Sequence, residues 1–297
     1  MSWFIYAIAA PFVWSFTNFI DKFLVEKKIG VYTFYIFTVW FYALSGIIIL
    51  LIIGKPFLPI NSAIFALLSG ICFLYLIPYF IALKLEDTSR IMPLFEFTPL
   101  FVLIISYLFL HETLTLLQLL SFPFIVAGAF LLGLQKLEGK ILSLRKALWL
   151  MMIADILYGM LGILFRYVVK TGDFWTAFAY QGLGAGISGT ILLFFPYFQQ
   201  QFKKDLPNLK LNFWTIFSIN EVLNILGFFF VNFATYLAPI ALVSVVGGVQ
   251  PLFVLTEGIL LSVWFPRLIK EDISKSTLKL KIFSIIMIFV GIILINK

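Results

Sequence analysis

The chain has 297 residues, of which 62% are hydrophobic and only 12% are charged, and its formal net charge is +7. Soluble domains carry about twice this share of charged residues, and the mean hydropathy is +1.08. This composition excludes large soluble enzymes and nucleic-acid-binding modules and predicts an integral membrane protein. One span takes ~20 apolar residues, so the chain has room for about nine or ten spans.

The first twenty residues predict a membrane helix that is retained. No lysine or arginine precedes them, and Ala7 to Ala9 comes too early for a signal-peptide cleavage site. Charged residues then divide the rest of the all-α chain into further spans. The ten predicted spans are residues 2–21, 31–53, 61–83, 90–110, 114–134, 147–168, 174–198, 213–236, 240–264 and 279–295. Between the eighth span and the ninth, only Ala238 and Pro239 interrupt the apolar run. A helix break is predicted there because proline disfavours a continuous helix.

Similar residues recur when the chain is compared with itself. At an offset of 144 residues, Trp14, Asn18 and Lys22 align with Tyr158, Gly162 and Arg166. At an offset of 152, Ala82 aligns with Ala234, and residues 99–101 align with 251–253. At an offset of 163, Gly128 aligns with Gly291. Two five-helix copies, residues 1–136 and 145–297, are the simplest account, with chance similarity between apolar helices as the alternative. Since five is odd, the second copy would be inverted in the membrane, as in many secondary transporters.

Two segments of the chain resemble a known family. The region from residue 90 to Gly128 is similar to the fourth and fifth helices of the EamA repeat. The similarity lies in Arg-Ile-Met-Pro at 90–93, Pro-Leu-Phe at 99–101, Leu-Phe-Leu-His-Glu-Thr-Leu-Thr at 108–115, Gln118 and Gly128. Residues 238–294 resemble its second copy. The resemblance implies a ten-helix member of the drug/metabolite transporter superfamily, whose cargo ranges from amino acids, nucleosides and sugars to drugs and lipid-linked groups. Two differences are that His111 stands where the family usually has glycine, and that no acid directly follows the ninth helix.

The basic residues are distributed unevenly between the predicted loops. Of the 21 lysines and arginines, 17 lie on one side and 4 on the other. The positive-inside rule places the lysine-rich side in the cytoplasm and both termini outside, whereas the family resemblance implies that both termini are inside. In either case the +7 charge belongs to one face of a multi-pass protein of the plasma (inner) membrane, and a nucleic-acid partner is not needed to explain it.

Four acidic residues lie within the predicted spans. They are Glu96, Asp155, Glu221 and Glu257. Each costs about 2.5 to 3.5 kcal/mol at bilayer depth unless it faces a cavity or a partner, and all four lie ~9 to 12 Å from the lysine-rich side. We predict that they bind protons or a cationic group. The alternative is that individual acids pair with Lys22, Lys84 or Arg90 as structural locks near the helix ends.

Polar and aromatic side chains are spaced so that they share helix faces. Trp14, Asn18 and Asp21 form such a stripe on the first span, and residues from Glu221 to Thr235 form a longer one on the eighth. The predicted substrate-binding residues are Trp14, Asn18, Tyr75, Tyr79, Asn224, Asn232 and Gln250, and the predicted gating prolines are Pro99 and Pro251. We expect spans one, three, four, six, eight and nine to surround the pathway, and the other four to be peripheral.

The sequence therefore predicts a secondary transporter and no enzyme. It would move a small neutral or cationic organic solute by alternating access, with proton coupling as one option; a flippase for a lipid-linked group, or a membrane enzyme acting on one, is the alternative. The stretch Gly182 to Ile187 lacks the last glycine of a dinucleotide-binding motif, so packing of small residues between helices explains it better. The expected partners are the solute and the lipid bilayer and not a nucleic acid, no metal or cofactor is expected, and a monomer would suffice although the sequence does not give the oligomeric state.

Overall fold

A computed structural model describes residues 2–54, 57–86, 88–133, 141–264 and 275–295, and over these ranges the chain is helical with no strand. The α-helices are α1 (Ser2–Lys27), α2 (Val31–Ile53), α3 (Ile60–Ile71), α4 (Leu76–Leu85), α5 (Thr88–Ile91), α6 (Thr98–Leu110), α7 (Leu116–Gly133), α8 (Ile141–Val169), α9 (Phe174–Leu192), α10 (Pro196–Asp205), α11 (Leu211–Leu237), α12 (Ile240–Gly247), α13 (Gln250–Trp264) and α14 (Lys275–Ile295). Short 3₁₀ segments connect several of them, at Cys72–Tyr75, Met92–Phe97 and Leu206–Asn208.

Six of the described helical runs are long and apolar enough to cross a membrane. A seventh is added if the bent pair Phe174–Leu192 and Pro196–Asn208 is counted as one span. Shorter apolar helices lie at Thr98–Leu110, Leu116–Gly128 and Ile282–Ile295. The chain is thus an all-helical, multi-pass integral membrane protein.

Two of the predicted spans have C-terminal ends that differ by six residues from the structure. The first continues six residues beyond its predicted end, to Lys27, because Asp21 bonds to a neighbouring helix and Lys22 reaches backbone carbonyls, so neither charge has to leave the protein. The seventh ends at Leu192 and the chain then turns by 98° into α10. Pro196 begins that helix, which fits the preference of proline for a first turn.

Several predicted spans are not continuous α-helices. The fourth consists of α5, the 3₁₀ segment Met92–Phe97 and α6, which carries Pro99 in its first turn. The ninth is divided between α12 and α13, and Pro251 is the second residue of α13. The two breaks end at Thr98 and Gln250, which are 152 residues apart.

The same offset relates other helix boundaries. Helix α4 ends at Leu85 and α11 at Leu237, and the residues that follow, Glu86 and Ala238, are both extended, with φ of −139° and −142°. Their N–H groups donate to the carbonyls of Ala82 and Ala234 respectively. The next helices begin at Thr88 and Ile240. The predicted break between the eighth and ninth spans is confirmed.

The helices form a central group and outer pairs. In the centre α1 packs along α11, and α8 packs against α3, α4 and α6; outside, α9 covers α2 and α3, and α7 packs on α14. A Cβ atom added at Gly182 would lie 2.8 Å from the carbonyl oxygen of Tyr42, and one at Gly184 would overlap the backbone of Leu67. The glycines of α9 therefore permit close helix approach, as predicted.

The pairing of α7 with α14 is reciprocal. A Cβ atom at Gly128 would lie 2.8 Å from the carbonyl oxygen of Ser284, and one at Gly291 would lie 3.0 Å from that of Ser121. Both pairs of equivalent residues, the glycines and the serines, are 163 residues apart. The two helices thus use matching positions against each other.

Candidate functional site

A cavity lies at the centre of the helix bundle. The volume open to the centre of a water-sized sphere is about 120 Å³, and the walls come from both halves of the chain, chiefly from α1, α4, α6, α8, α11 and α12. All seven predicted substrate-binding residues line it: Trp14, Asn18, Tyr75, Tyr79, Asn224, Asn232 and Gln250. Glu221 and Pro99 line it as well.

Other predicted site residues lie elsewhere. Asp155 is buried and accepts a hydrogen bond from Thr98 Oγ1 at 2.8 Å, and Glu257 accepts one from Ser15 Oγ at 2.5 Å. Neither belongs to the described wall of the cavity, nor does Pro251. The backbone of Glu96 lies in the 3₁₀ segment Met92–Phe97, but its side chain lies outside the described part of the chain.

A pair of carboxyl groups occupies one end of the cavity. Asn220 Nδ2 donates to Asp21 Oδ1 at 2.8 Å and to Glu221 Oε1 at 3.3 Å, and Thr38 Oγ1 donates to the same Glu221 oxygen at 3.0 Å. Both acids line the cavity, and Asp21 is only 4% exposed and Glu221 1%. Asp21 was predicted to lie on the stripe of the first span but was not among the four predicted buried acids, because it stood at the predicted end of that span.

Aromatic rings make up much of the remaining wall. Trp14 packs against Phe228 with 5.0 Å between ring centroids, and Tyr75 against Tyr158 at 5.1 Å. Tyr79 Oη donates to Asn18 Oδ1 at 3.0 Å. The amide Nδ2 of Asn18 is buried with no hydrogen-bond partner among the described residues. A bound solute with an oxygen acceptor would satisfy this donor.

A polar network supports the wall from behind. Gln181 Oε1 accepts hydrogen bonds from Tyr42 Oη at 2.9 Å and from Asn232 Nδ2 at 2.7 Å, while its Nε2 donates to Ser69 Oγ at 2.7 Å. Ser69 in turn donates to the carbonyl of Leu161. The fully buried Gln181 thus ties α2, α3, α8 and α11 together through α9. Gln181 was not among the predicted site residues, since a lone glutamine in an apolar span gives no pattern.

An ionic cluster closes one end of the bundle. Arg166 Nε donates to Glu112 Oε1 at 2.7 Å, and Lys170 Nζ lies 3.5 Å from the same oxygen. The other carboxylate oxygen, Oε2, accepts from the N–H of Ile240, the first residue of α12, at 3.1 Å. Arg166 also donates to the carbonyl oxygen of Thr235 near the end of α11. This group, the Glu112 cluster, joins the α6–α7 loop to α8, α11 and α12.

Lys22 makes related contacts at the opposite end of the bundle. Its Nζ donates to the carbonyl oxygens of Leu83 at 3.1 Å and Glu86 at 2.7 Å, at the end of α4. Lys22 and Arg166 are equivalent at the offset of 144, and Leu83 and Thr235 at 152. In both halves a cation at the end of one helix meets the carbonyls at the end of another, which is a favourable position for positive charge.

Comparisons with known proteins relate the first 134 residues to a transporter family. The EamA-like transporter family matches residues 1–134. A curated relative from Sinorhizobium sp, described as "Uncharacterized transporter in cobO 3'region", is 47% identical over 55 residues, which are 18% of this chain and 39% of that protein's length. Residues 1–134 are therefore of the EamA type. Both descriptions name transporters rather than enzymes, as the sequence predicted.

A solved structure shares the overall fold of this chain. It is described as "Crystal structure of protein", and it superimposes with a TM-score of 0.70 over 99% of this chain and 98% of that one. The two sequences are only 13% identical, so the likeness concerns the fold alone.

The position of His111 explains one feature of the EamA repeat. In this EamA-type chain His111 has a φ of 51° and ψ of 34°, and it is the only non-glycine residue with a positive φ among those described. It ends α6, with its N–H bonded to the carbonyl of Ser106. Glycine adopts this left-handed conformation without strain. The glycine usual before the acid in the family therefore suits the turn that presents Glu112.

The second span contributes more to the cavity of this EamA-type chain than predicted. We expected it to be peripheral, but Thr38 and Tyr42 of α2 both line the cavity. Tyr42 is only 2% exposed and packs against Phe228 of α11, with 5.6 Å between ring centroids. A signal was present in the sequence, because Tyr35, Thr38 and Tyr42 are spaced three and four residues apart and so share one face of α2.

Proposed function

We propose that this EamA-type protein is a secondary transporter that moves a small organic solute across the plasma (inner) membrane by alternating access. The observation that carries the proposal is the cavity, because its walls come from both halves of the chain and most of its polar residues are buried. A buried polar cavity between two halves is where transporters built from repeats bind their cargo. The Glu112 cluster would hold one end of it closed.

The proposed architecture is ten membrane helices in two inverted repeats, residues 1–136 and 145–297. Support comes from the boundaries that recur at the offset of 152, from the matching contacts of Lys22 and Arg166, and from the reciprocal packing of Gly128 and Gly291. Chance similarity between apolar helices would not reproduce helix ends, cap geometry and side-chain contacts together.

The charges of the cavity indicate the kind of cargo. Asp21 and Glu221 line it, whereas no lysine, arginine or histidine belongs to its described wall. A neutral or cationic solute fits such a cavity, and an anion would be repelled. Glu221 is the proposed proton-coupling residue, together with Asp21. Asp155 and Glu257 would instead stabilise contacts between helices, since each bonds to a neighbouring hydroxyl.

The flippase alternative finds less support. A carrier of lipid-linked groups would need its polar groups to open sideways to the bilayer. The two carboxyl groups of the cavity are instead enclosed, with exposed fractions of 4% and 1%. A membrane enzyme is not favoured by the transporter relatives.

Side-specific labelling tests alternating access without knowledge of the cargo. The chain contains one cysteine, Cys72, so Cys72→Ser gives a background for single cysteines. Ser244 lines the cavity ~6 Å along α12 from Ile240 and the Glu112 cluster, and Asn224 lines it on α11. Impermeant thiol reagents should reach Ser244→Cys and Asn224→Cys alternately from the two sides of a proteoliposome. A state in which both sides label at once would identify a channel.

Proton coupling needs a cargo, which a thermal-shift screen can supply. Purified protein would be screened against amino acids, nucleosides, amines and prenyl phosphates across pH, and hits would be tested for uptake. Glu221→Gln should abolish uphill uptake but preserve exchange, and Glu257→Gln is the matched control with a buried acid outside the cavity wall. Uphill uptake at the wild-type level in Glu221→Gln would refute the coupling role, and a response to prenyl phosphates alone would favour the flippase.

The orientation can be measured separately. The lysine-rich side is proposed to face the cytoplasm, with both termini outside, although family resemblance implies the reverse. Reporter fusions after residue 297 that are active on only one side of the membrane would decide between them. A monomer suffices for the mechanism, because the cavity is complete within one chain.

A further inference from the structure

The two ends of the cavity differ in chemistry. On α1 the lining residues run from Ala7 to Asp21, a length of ~21 Å along the helix. The carboxyl groups of Asp21 and Glu221 lie at one end of this length, next to the hydroxyl of Thr38. The other end is lined by small, apolar or neutral polar residues such as Ala7, Val102 and Ser244. The charge of the cavity wall is therefore confined to one end, and a ligand that fills the cavity would carry its own charge there.

Nearby basic groups do not neutralise the acid pair through any described contact. Lys22 follows Asp21 directly, but its ammonium group donates to the carbonyls of Leu83 and Glu86 and lies 3.2 Å from Glu26 Oε1. The groups that do bond to the pair are the amide of Asn220 and the hydroxyl of Thr38, which are neutral donors. Buried carboxylates are stabilised by a paired positive charge, so a cation is the ligand that this end favours.

Aromatic faces surround the space beside the acid pair. Trp14, Tyr75, Tyr79, Phe95, Tyr158 and Phe228 all line the cavity. They form edge-on and tilted pairs, such as Tyr79 with Phe95 at 5.4 Å and Tyr75 with Tyr158 at 5.1 Å between ring centroids. The negative face of an aromatic ring attracts an organic cation, and its area also binds an apolar body.

We propose that the cavity binds an organic monocation in which an ammonium group is attached to an apolar or aromatic body. The ammonium lies between Asp21 and Glu221, and the body lies against Trp14 and Phe228. The inference rests on the proposed function and deepens it by naming the class of cargo. It also assigns a role to Asp21 as a binding residue.

Binding of a simple probe tests the inference on the full-length protein in lipid nanodiscs. Benzyltrimethylammonium carries the charge and the ring, benzyl alcohol only the ring, and phenylacetate the opposite charge. Isothermal titration calorimetry should show benzyltrimethylammonium binding at least about tenfold more tightly than benzyl alcohol, a difference of about 1.4 kcal/mol, and no binding of phenylacetate. Equal affinities for the cation and the alcohol would overturn the inference.

Matched variants locate the charge that the probe recognises. Asp21→Asn and Glu221→Gln should each weaken binding of benzyltrimethylammonium about tenfold or more, whereas Glu257→Gln should leave it unchanged. Trp14→Phe should bind nearly as well as the native protein and Trp14→Leu more weakly, because only the former keeps an aromatic face. Melting temperatures of all variants show whether they are folded. Unchanged binding in both acid variants contradicts the inference.

Failure of this inference can be distinguished from failure of the transport function. If a neutral or zwitterionic solute binds in the cavity and is taken up while the cation does not bind, the cargo class is wrong and the transporter stands. If the cation binds as expected but Ser244→Cys labels from one side only under all conditions, the binding site stands and alternating access is wrong.

Discussion

Glu112 and Arg166 connect the two halves of the chain through an ion pair of 2.7 Å between Oε1 and Nε. Their side chains are only 5% and 13% exposed. The same carboxylate caps α12 through the N–H of Ile240, and the same guanidinium caps α11 through the carbonyls of Thr235 and Tyr236. One ion pair therefore secures a loop of the first half to three helices of the second.

Removing this ion pair should loosen the adjacent end of the cavity. We expect Arg166→Gln to increase the rate at which Ser244→Cys is labelled from the side of the Glu112 cluster, because a buried carboxylate that loses its partner no longer holds the helices together. Thiol labelling in proteoliposomes measures the rate. Lys203→Gln, an exposed charge on α10, is the control. An unchanged labelling rate in Arg166→Gln would mean that the ion pair has no gating role.

The left-handed conformation of His111 predicts a stabilising substitution. His111→Gly should raise the free energy of unfolding by about 1 kcal/mol, because a non-glycine residue pays about that much in this conformation. His111→Val should lower it, since a β-branched side chain fits this region poorly. Thermal unfolding in detergent measures both, with a shift of roughly 2 to 4 °C for 1 kcal/mol in a protein of about this size. A less stable His111→Gly protein would contradict the strain argument.

Loss of the hydrogen bonds of Gln181 should destabilise the protein more than the small change in side-chain volume suggests. Gln181→Leu is similar in volume but leaves Tyr42, Asn232 and Ser69 without their partner, and each unsatisfied buried group costs about 1 to 3 kcal/mol. We expect a fall in melting temperature of several degrees, about 5 °C or more. Gln199→Leu on the exposed side of α10 is the matched control. Equal melting temperatures of the two variants would show that the network is dispensable.

Much of the cavity could be predicted from helical spacing. Trp14 and Asn18 are four residues apart on α1, and Asn224 and Asn232 lie on one face of α11, so both stripes had to be buried away from lipid. All four line the cavity. The depth of an acidic residue within a predicted span was a weaker indication that it lines the cavity. Asp155 and Glu257 lie deep in their helices, yet they bond to Thr98 and Ser15 and do not line the cavity.

Contacts between distant segments could not be predicted in the same way. Asp21 stood at a predicted helix end, and only the extension of α1 to Lys27 and the amide of Asn220 bring it beside Glu221. Gln181 lies in an apolar span, and the face that Tyr42 shares with Thr38 on α2 does not indicate which helix it meets, so the bond between Gln181 and Tyr42 could not be predicted.

The sequence by itself determined that this is a helical membrane protein of the EamA type and which helix faces are polar, because hydrophobicity and spacing along one helix are local properties. The tertiary structure decided which of those faces meet. In the tertiary structure Asn220 bonds to both Asp21 and Glu221, and Glu112 forms an ion pair with Arg166. Asp155 and Glu257 bond to other residues, outside the cavity wall. Such choices depend on how helices far apart in the chain pack against one another, and no single helix carries that information.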